Sequence, residues 1–122
     1  MGDLVYLRFI VGASRHTQNL DTATWVIYYP YGELLVSRGI RISHASKNRA
    51  KYSVVINLLF EAISFGIKSL VVYFISQLVV SQINNIYCVR DPLLHRQFLR
   101  VRLLQRSFNV ITFCNNPGEN FL

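Results

Sequence analysis

The 122-residue sequence predicts one α/β domain, in which flanking helices pack on a mixed five-stranded sheet. Three observations support this prediction. Strand-like runs joined by turn residues open the chain, a helical pattern leads into a short Val-rich run at its centre, and further helical patterns precede a last apolar run. Because hairpins give antiparallel pairs and strand-helix-strand units give parallel pairs, the sheet should contain both. The chain length is typical of a single domain.

The first third of the chain is predicted to form three antiparallel strands. The first run is almost entirely apolar, β-branched or aromatic, and it is expected to end at Gly12-Ala13-Ser14. A polar stretch over 14–22 is expected to form a loop. The next two runs are separated by Pro30-Tyr31-Gly32-Glu33, whose Pro and Gly favour a hairpin turn. The expected strands lie near residues 4–11, 23–29 and 34–42.

The rest of the chain alternates between helical and strand patterns. Gly66 follows a run with helical spacing and is a typical C-terminal cap, whereas Ser76 and Asp91-Pro92 favour helix starts. Residues 69–74 are Val-rich, which is typical of a buried parallel strand. The expected elements are helices near 48–65, 76–84 and 92–106 and strands near 69–74 and 109–113.

Composition excludes a disordered chain and favours a polyanionic partner. Apolar residues make up 52% of the sequence and charged residues 16%, so the chain has enough apolar side chains to fold. Its net charge of +7 favours nucleic acid or an acidic membrane surface. Cys88 and Cys114 fit no metal-ligand spacing and suggest two reduced thiols in an intracellular protein.

A membrane-associated protein is one alternative that the sequence leaves open. Residues 69–89 carry no charge and are long enough to raise the question of a membrane-spanning helix. Ser76 and Gln77 interrupt the apolar part of this run, so a buried strand followed by a helix is favoured. We therefore do not expect a membrane to be the main partner.

Three segments resemble the ribonuclease H domain of plant retrotransposon and reverse-transcriptase polyproteins. Phe9-Ile10-Val11-Gly12-Ala13-Ser14 resembles a strand that ends in Asp-Gly-Ala-Ser. Asn48-Arg49-Ala50-Lys51-Tyr52 resembles Asn-x-Ala-Glu-Tyr at a helix start, and Ile75-Ser76-Gln77-Leu78-Val79-Val80 resembles Asp-Ser-Gln-Leu-Val-Val. The order of the predicted elements is also that of the family. The resemblance implies a ribonuclease H-like fold over nearly the whole chain.

The C-terminal segment implies a domain that stops before the family's closing helix. Glu119-Asn120 is similar to the Glu-Asn that precedes the last acidic residue of the family and that helix, and the sequence ends at Leu122. We expect a single domain over 1–122 that is truncated before its last helix. Apolar surface left uncovered by the truncation would favour self-association.

The resemblance also implies that the active site is degenerate. The family hydrolyses the RNA strand of an RNA–DNA hybrid with two divalent metals, held by carboxylates from several elements. Three of those carboxylate positions are occupied here by Val11, Lys51 and Ile75. Two of these side chains offer no oxygen, and the third adds a positive charge. The chain is therefore expected to hold no Mg²⁺, to need no other cofactor and to have no small-molecule substrate.

Residues around those positions are predicted to contact nucleic acid. They are the polar residues of the three segments that resemble the family, together with the basic residues near them. The basic side chains would bind phosphate without a metal. The alternatives are a cap role for Ser76 and a solvated surface for the basic residues. We expect weak, non-specific binding of RNA, DNA or their hybrid, and the competing hypothesis is a decayed retroelement fragment without a selected function. The predicted contact residues are Ser14, Arg15, Lys47, Asn48, Arg49, Lys51, Ser76 and Gln77.

Overall fold

The computed structural model describes residues 9–16, 22–41, 47–74 and 76–115, and within these ranges it contains one five-stranded sheet and three helices. The strand order is β3-β2-β1-β4-β5. Both neighbours of β2 pair with it antiparallel, while β4 pairs parallel with β1 and β5, so the sheet is mixed as predicted. The elements are β1 (Phe9–His16), β2 (Thr22–Tyr28), β3 (Leu34–Arg41), α1 (Lys47–Ser64), β4 (Ser69–Phe74), α2 (Gln77–Ile83), α3 (Pro92–Gln105) and β5 (Val110–Asn115).

The extent of β1 differs from the prediction. The strand does not end at Gly12-Ala13-Ser14, because it continues to His16, and the predicted loop over 14–22 is correspondingly shorter. Pairing explains the difference: Arg15 and His16 still pair with β2, beyond a register shift that begins at Gly12. Backbone hydrogen bonds to a neighbouring strand outweigh the low strand propensity of glycine and serine. The predicted strand residues 4–8 lie outside the described residues.

The predicted turn and caps are confirmed by their hydrogen bonds. In the β2–β3 hairpin, the Gly32 N–H donates to the Tyr29 carbonyl at 2.9 Å, and Gly32 has a φ of 98°. The Ser76 hydroxyl accepts from the Val79 N–H at the start of α2. The Asp91 carboxylate accepts from the N–H groups of Leu93 and Leu94 at the start of α3. Each cap satisfies backbone donors that the helix leaves unpaired.

The C-terminus of α1 ends in a Schellman motif. Gly66 has a φ of 77°, its N–H donates to the Ile63 carbonyl at 2.9 Å, and the N–H of Ile67 donates to the Ala62 carbonyl at 3.1 Å. Ile67 is buried beneath the helix end. The motif turns the chain directly from α1 into β4 because only a short connection separates them.

The helices pack on one face of the sheet. Leu70, Val72 and Phe74 of β4 are at most 1% exposed and belong to the same core cluster as the buried residues of the three helices. Val71 and Tyr73 alternate with them and are partly exposed. In the described part of the chain, the second face of the sheet is thus less covered than the first. Self-association through that face stays a prediction.

The segment over 69–89 does not form one apolar helix. It consists of β4, the short helix α2 and a turn, which confirms the interpretation as a buried strand followed by a helix. Within the described ranges, no helix combines the length and the apolar character needed to cross a membrane. Cys88 is exposed and Cys114 is partly exposed, and neither forms a disulfide among the described residues.

Substitution of Gly66 by Ala should destabilise the domain, since a Cβ at positive φ costs about 1 to 2 kcal/mol. No other atom lies within 4 Å of the added Cβ, so the cost should come from the backbone alone. Gly66→Asn is the matched control, because asparagine tolerates this conformation better. Urea unfolding should rank wild type above Gly66→Asn and Gly66→Ala last, and equal stability of the three proteins would contradict the motif.

Candidate functional site

Two of the three positions at which the resemblance implies carboxylates can be placed on the described elements. Val11 lies in β1 and pairs with Val72 of β4, three residues before Ile75. Ile75 itself lies outside the described residues. Because β1 and β4 are parallel neighbours, this part of β1 lies beside the C-terminal half of β4. Direct convergence of all three positions stays a prediction.

Lys51 lies on the side of α1 that faces the sheet. Residues four, seven and eleven positions further along the helix, Val55, Leu58 and Ala62, are completely buried, and helical periodicity places them on one stripe with Lys51. Lys51 is only partly exposed although it lies in the second turn of the helix. The Lys51 side chain therefore starts from the sheet-facing side of α1 and not from its solvent side.

The start of α1 is held beside α2 by a buried hydrogen bond. The Tyr52 hydroxyl donates to Oε1 of Gln82 at 2.8 Å, and both side chains are buried. Burial raises the pKa of the Tyr52 phenol to about 12, and the positive charge of Arg102 partly opposes that rise. This contact fixes Lys51, the neighbour of Tyr52, relative to the helix that follows β4.

The predicted contact residues fall into three groups. Lys47 is exposed and Asn48 and Arg49 are partly exposed at the beginning of α1, while Gln77 is exposed at the beginning of α2. Ser76 is buried and its hydroxyl is engaged in the cap of α2, which favours the cap role for this residue. Ser14 and Arg15 lie in the part of β1 that follows Gly12, and the described side chains do not include theirs.

The first turns of α1 carry positive charge that no acidic residue in its first turn offsets. Lys47, Arg49 and Lys51 lie within five residues, and the N-terminal end of a helix dipole adds partial positive charge. An anion placed there would meet several cations and the positive end of the helix dipole together. The electrostatics therefore suit a phosphate backbone.

The residues at these positions do not fit a divalent metal. Mg²⁺ requires oxygen ligands, and valine, lysine and isoleucine supply none at the three family positions. Among the described residues, no group of three or more His, Cys, Asp or Glu side chains could hold a metal ion. The described carboxylates are otherwise engaged or distant in the fold: Asp91 caps α3, and Glu33 lies in the β2–β3 turn.

Glu61 has a structural role that the sequence did not reveal. Its carboxylate accepts a hydrogen bond from Nε1 of Trp25 at 2.8 Å and forms an ion pair with Arg38. Trp25 and Arg38 are directly paired residues of β2 and β3, so one helix residue binds both strands. The sequence separations of 36 and 23 residues carry no local signal from which this contact could be predicted.

Comparisons with known proteins agree with this architecture. No family model matches the sequence. Ribonuclease HI of Halobacterium salinarum is 32% identical over 98 residues, which are 80% of this chain and 49% of that protein, so the chain spans about half the length of this curated relative. The crystal structure of RNase H1 from the same archaeon has a TM-score of 0.79 at 26% identity, covering 91% of this chain and 85% of that one.

A second solved structure comes from a different source. LC11-RNase H1, crystallised in complex with RNA/DNA hybrid, has a TM-score of 0.79 at 21% identity, with 92% of this chain and 87% of that one covered. These likenesses, together with the mixed sheet order and the three helices, show that the chain has a ribonuclease H-like fold. The fold implied by the three sequence segments is thereby confirmed.

Tyr52→Phe should lower stability at neutral pH by about 1 to 3 kcal/mol, because Gln82 would keep a buried oxygen without its donor. The raised pKa of Tyr52 stabilises the wild-type fold below pH 10, and that stability is lost as pH rises from about 10 to about 12. The wild type should lose on the order of 1 kcal/mol per pH unit in this window through Tyr52.

The measurement is urea unfolding of both proteins over the alkaline range, with Tyr87→Phe as the control because Tyr87 is exposed. Tyr52→Phe should show a shallower alkaline loss than either the wild type or the control. Parallel curves of stability against pH for all three proteins would show that the pKa of the Tyr52 phenol is not raised in the folded protein.

Proposed function

We propose that this chain is a ribonuclease H-like domain of plant retroelement origin that binds RNA–DNA hybrid and has lost the hydrolysis of the RNA strand. The observation that carries the proposal is the position of Lys51, on the sheet-facing stripe of α1 within a ribonuclease H-like fold. The family has a metal-binding glutamate at the corresponding place in the segment that resembles Asn-Arg-Ala-Lys-Tyr. A lysine there repels divalent cations and attracts phosphate.

Binding is supported by charge and by the similar proteins. Lys47, Arg49 and Lys51 cluster at the beginning of α1, and the whole chain carries +7. LC11-RNase H1, which shares the fold, is in complex with RNA/DNA hybrid. Because these are phosphate contacts without base readout, the affinity should be weak and independent of sequence, about 10⁻⁴ to 10⁻⁶ M at physiological salt.

Loss of hydrolysis is supported by the donor chemistry of the three positions. Two-metal hydrolysis requires ligands that hold both cations while water attacks the phosphodiester. Val11 and Ile75 carry hydrocarbon side chains, and the ammonium group of Lys51 is a donor and not a ligand at neutral pH. The alternative, a decayed fragment without a selected function, shares these substitutions and differs by lacking any hybrid affinity.

Fluorescence anisotropy with a labelled RNA–DNA hybrid tests the binding. The wild type should bind, its affinity should fall steeply with salt, and Lys51→Glu should reduce the salt slope by about 1. Lys68→Glu is the matched control, because Lys68 is exposed immediately before β4, away from its C-terminal end. No RNA strand should be cleaved with Mg²⁺ or Mn²⁺.

Equal loss of affinity in Lys51→Glu and Lys68→Glu would show that binding depends on the net charge and not on the position of Lys51. Absence of any salt-dependent affinity would favour the decayed fragment. Metal-dependent turnover by the pure protein would overturn the loss of hydrolysis.

A restored ligand set tests the assignment of the three positions directly. In the triple variant Val11→Asp, Lys51→Glu and Ile75→Asp, three carboxylates should converge and bind Mn²⁺. Added Mn²⁺ should therefore raise the thermal midpoint of the triple variant, through preferential binding to the folded state, and should leave the wild type and Lys51→Glu unchanged. If a folded triple variant, checked by circular dichroism, gains no more than Lys51→Glu, the three positions do not form one site.

A further inference from the structure

The outer surface between α1 and α3 contains an open groove with a volume of about 380 Å³. The two helices pack against each other, and residues of both line the groove along their seam. Its wall has hydroxyl, amide, guanidinium and apolar groups and no carboxylate. The lining residues are Ser53, Ile56, Asn57 and Phe60 of α1 and Arg96, Gln97 and Arg100 of α3.

The two arginines of the groove are available for an anionic partner. Arg96 and Arg100 are exposed and lie about one turn apart on α3. In the described part of the chain, no ion pair involves Arg96 or Arg100. Two uncompensated guanidinium groups make this seam strongly positive.

Exposed apolar side chains lie in the groove and on the adjoining face of α3. Phe60 is 48% exposed at the α1 side, and Leu93 is 48% exposed on α3. Helical spacing of three and four residues places Leu93, Arg96 and Arg100 on one face, and Leu103 continues that face at 59% exposure. Two arginines flanked by exposed leucines on one face suit a ligand that is both apolar and anionic, not a bare phosphate chain.

The floor of the groove is fixed by Gln97. Its Nε2 donates at 3.1 Å to the Arg49 carbonyl and at 3.1 Å to the Ser53 hydroxyl, so it joins α3 to α1. Its Oε1 is buried and has no hydrogen-bond partner. These two hydrogen bonds hold α3 against α1 beside the groove.

We propose that the α1–α3 groove docks an acidic amphipathic helix of a partner protein. Its apolar side chains would cover Phe60 and Leu93, and its carboxylates would pair with Arg96 and Arg100. A second copy of this chain is a poor occupant, because each copy carries +7. The proposal is independent of hybrid binding, which uses Lys51 on the opposite side of α1 from the groove residue Phe60.

The test is an NMR titration of the folded chain with a synthetic helical peptide. The probe has Leu at helix positions i, i+3, i+4 and i+7 and Glu along both borders, and its sequence scramble has the same composition. The probe should shift the amide signals of 53–60 and 96–100, and the scramble should not. Arg96→Glu with Arg100→Glu should weaken probe binding at least about tenfold, the loss expected for two charge-assisted pairs.

The matched control is Arg90→Glu with Arg106→Glu, which makes the same change in net charge at exposed positions outside the groove. This control should retain the affinity for the probe. Equal weakening of both double variants, or equal binding of probe and scramble, would overturn the proposal. Loss of hybrid affinity in Arg96→Glu with Arg100→Glu would assign the groove to nucleic acid, and a changed oligomeric state would assign it to a second copy.

Discussion

Burial of one stripe of α1 against the sheet is the constraint from which the rest of the arrangement follows. Val55, Leu58 and Ala62 are completely buried, and so are the strand residues Leu70 and Val72. Once this stripe is buried, the rotation of the helix about its axis is fixed. Every other side chain of α1 then has a defined direction, towards the sheet, towards α3 or towards solvent.

The same rotation separates two chemically different surfaces. Lys51 lies on the buried stripe near the N-terminal end of α1, on the side of the sheet. Phe60 and Asn57 face the seam with α3 instead. Glu61 lies between these directions and binds the β2–β3 pair through Trp25 and Arg38. One helix thus contacts three neighbours because its side chains point in different directions around one axis.

Local chemistry in the sequence was sufficient to predict most elements. Gly66, Ser76 and Asp91 define helix ends through caps that involve residues only two to four positions away, so the pattern could be read without the fold. The end of β1 could not be predicted in this way, because pairing of His16 with Ala23 depends on a neighbouring strand. Glu61, Gln97 and Gln82 were missed as structural residues for the same reason, since their partners are distant in sequence.

The parallel pairing of β1 with β4 has a consequence for the order in which the chain folds. Phe9 pairs with Leu70, about 60 positions further along, whereas the β2–β3 hairpin and the α1–β4 connection involve near neighbours. Closing so long a loop is entropically costly until other contacts hold its ends. We therefore expect the pairing of β1 with β4 to form late, after the local β1–β2 and β2–β3 pairs and the connection from α1 to β4.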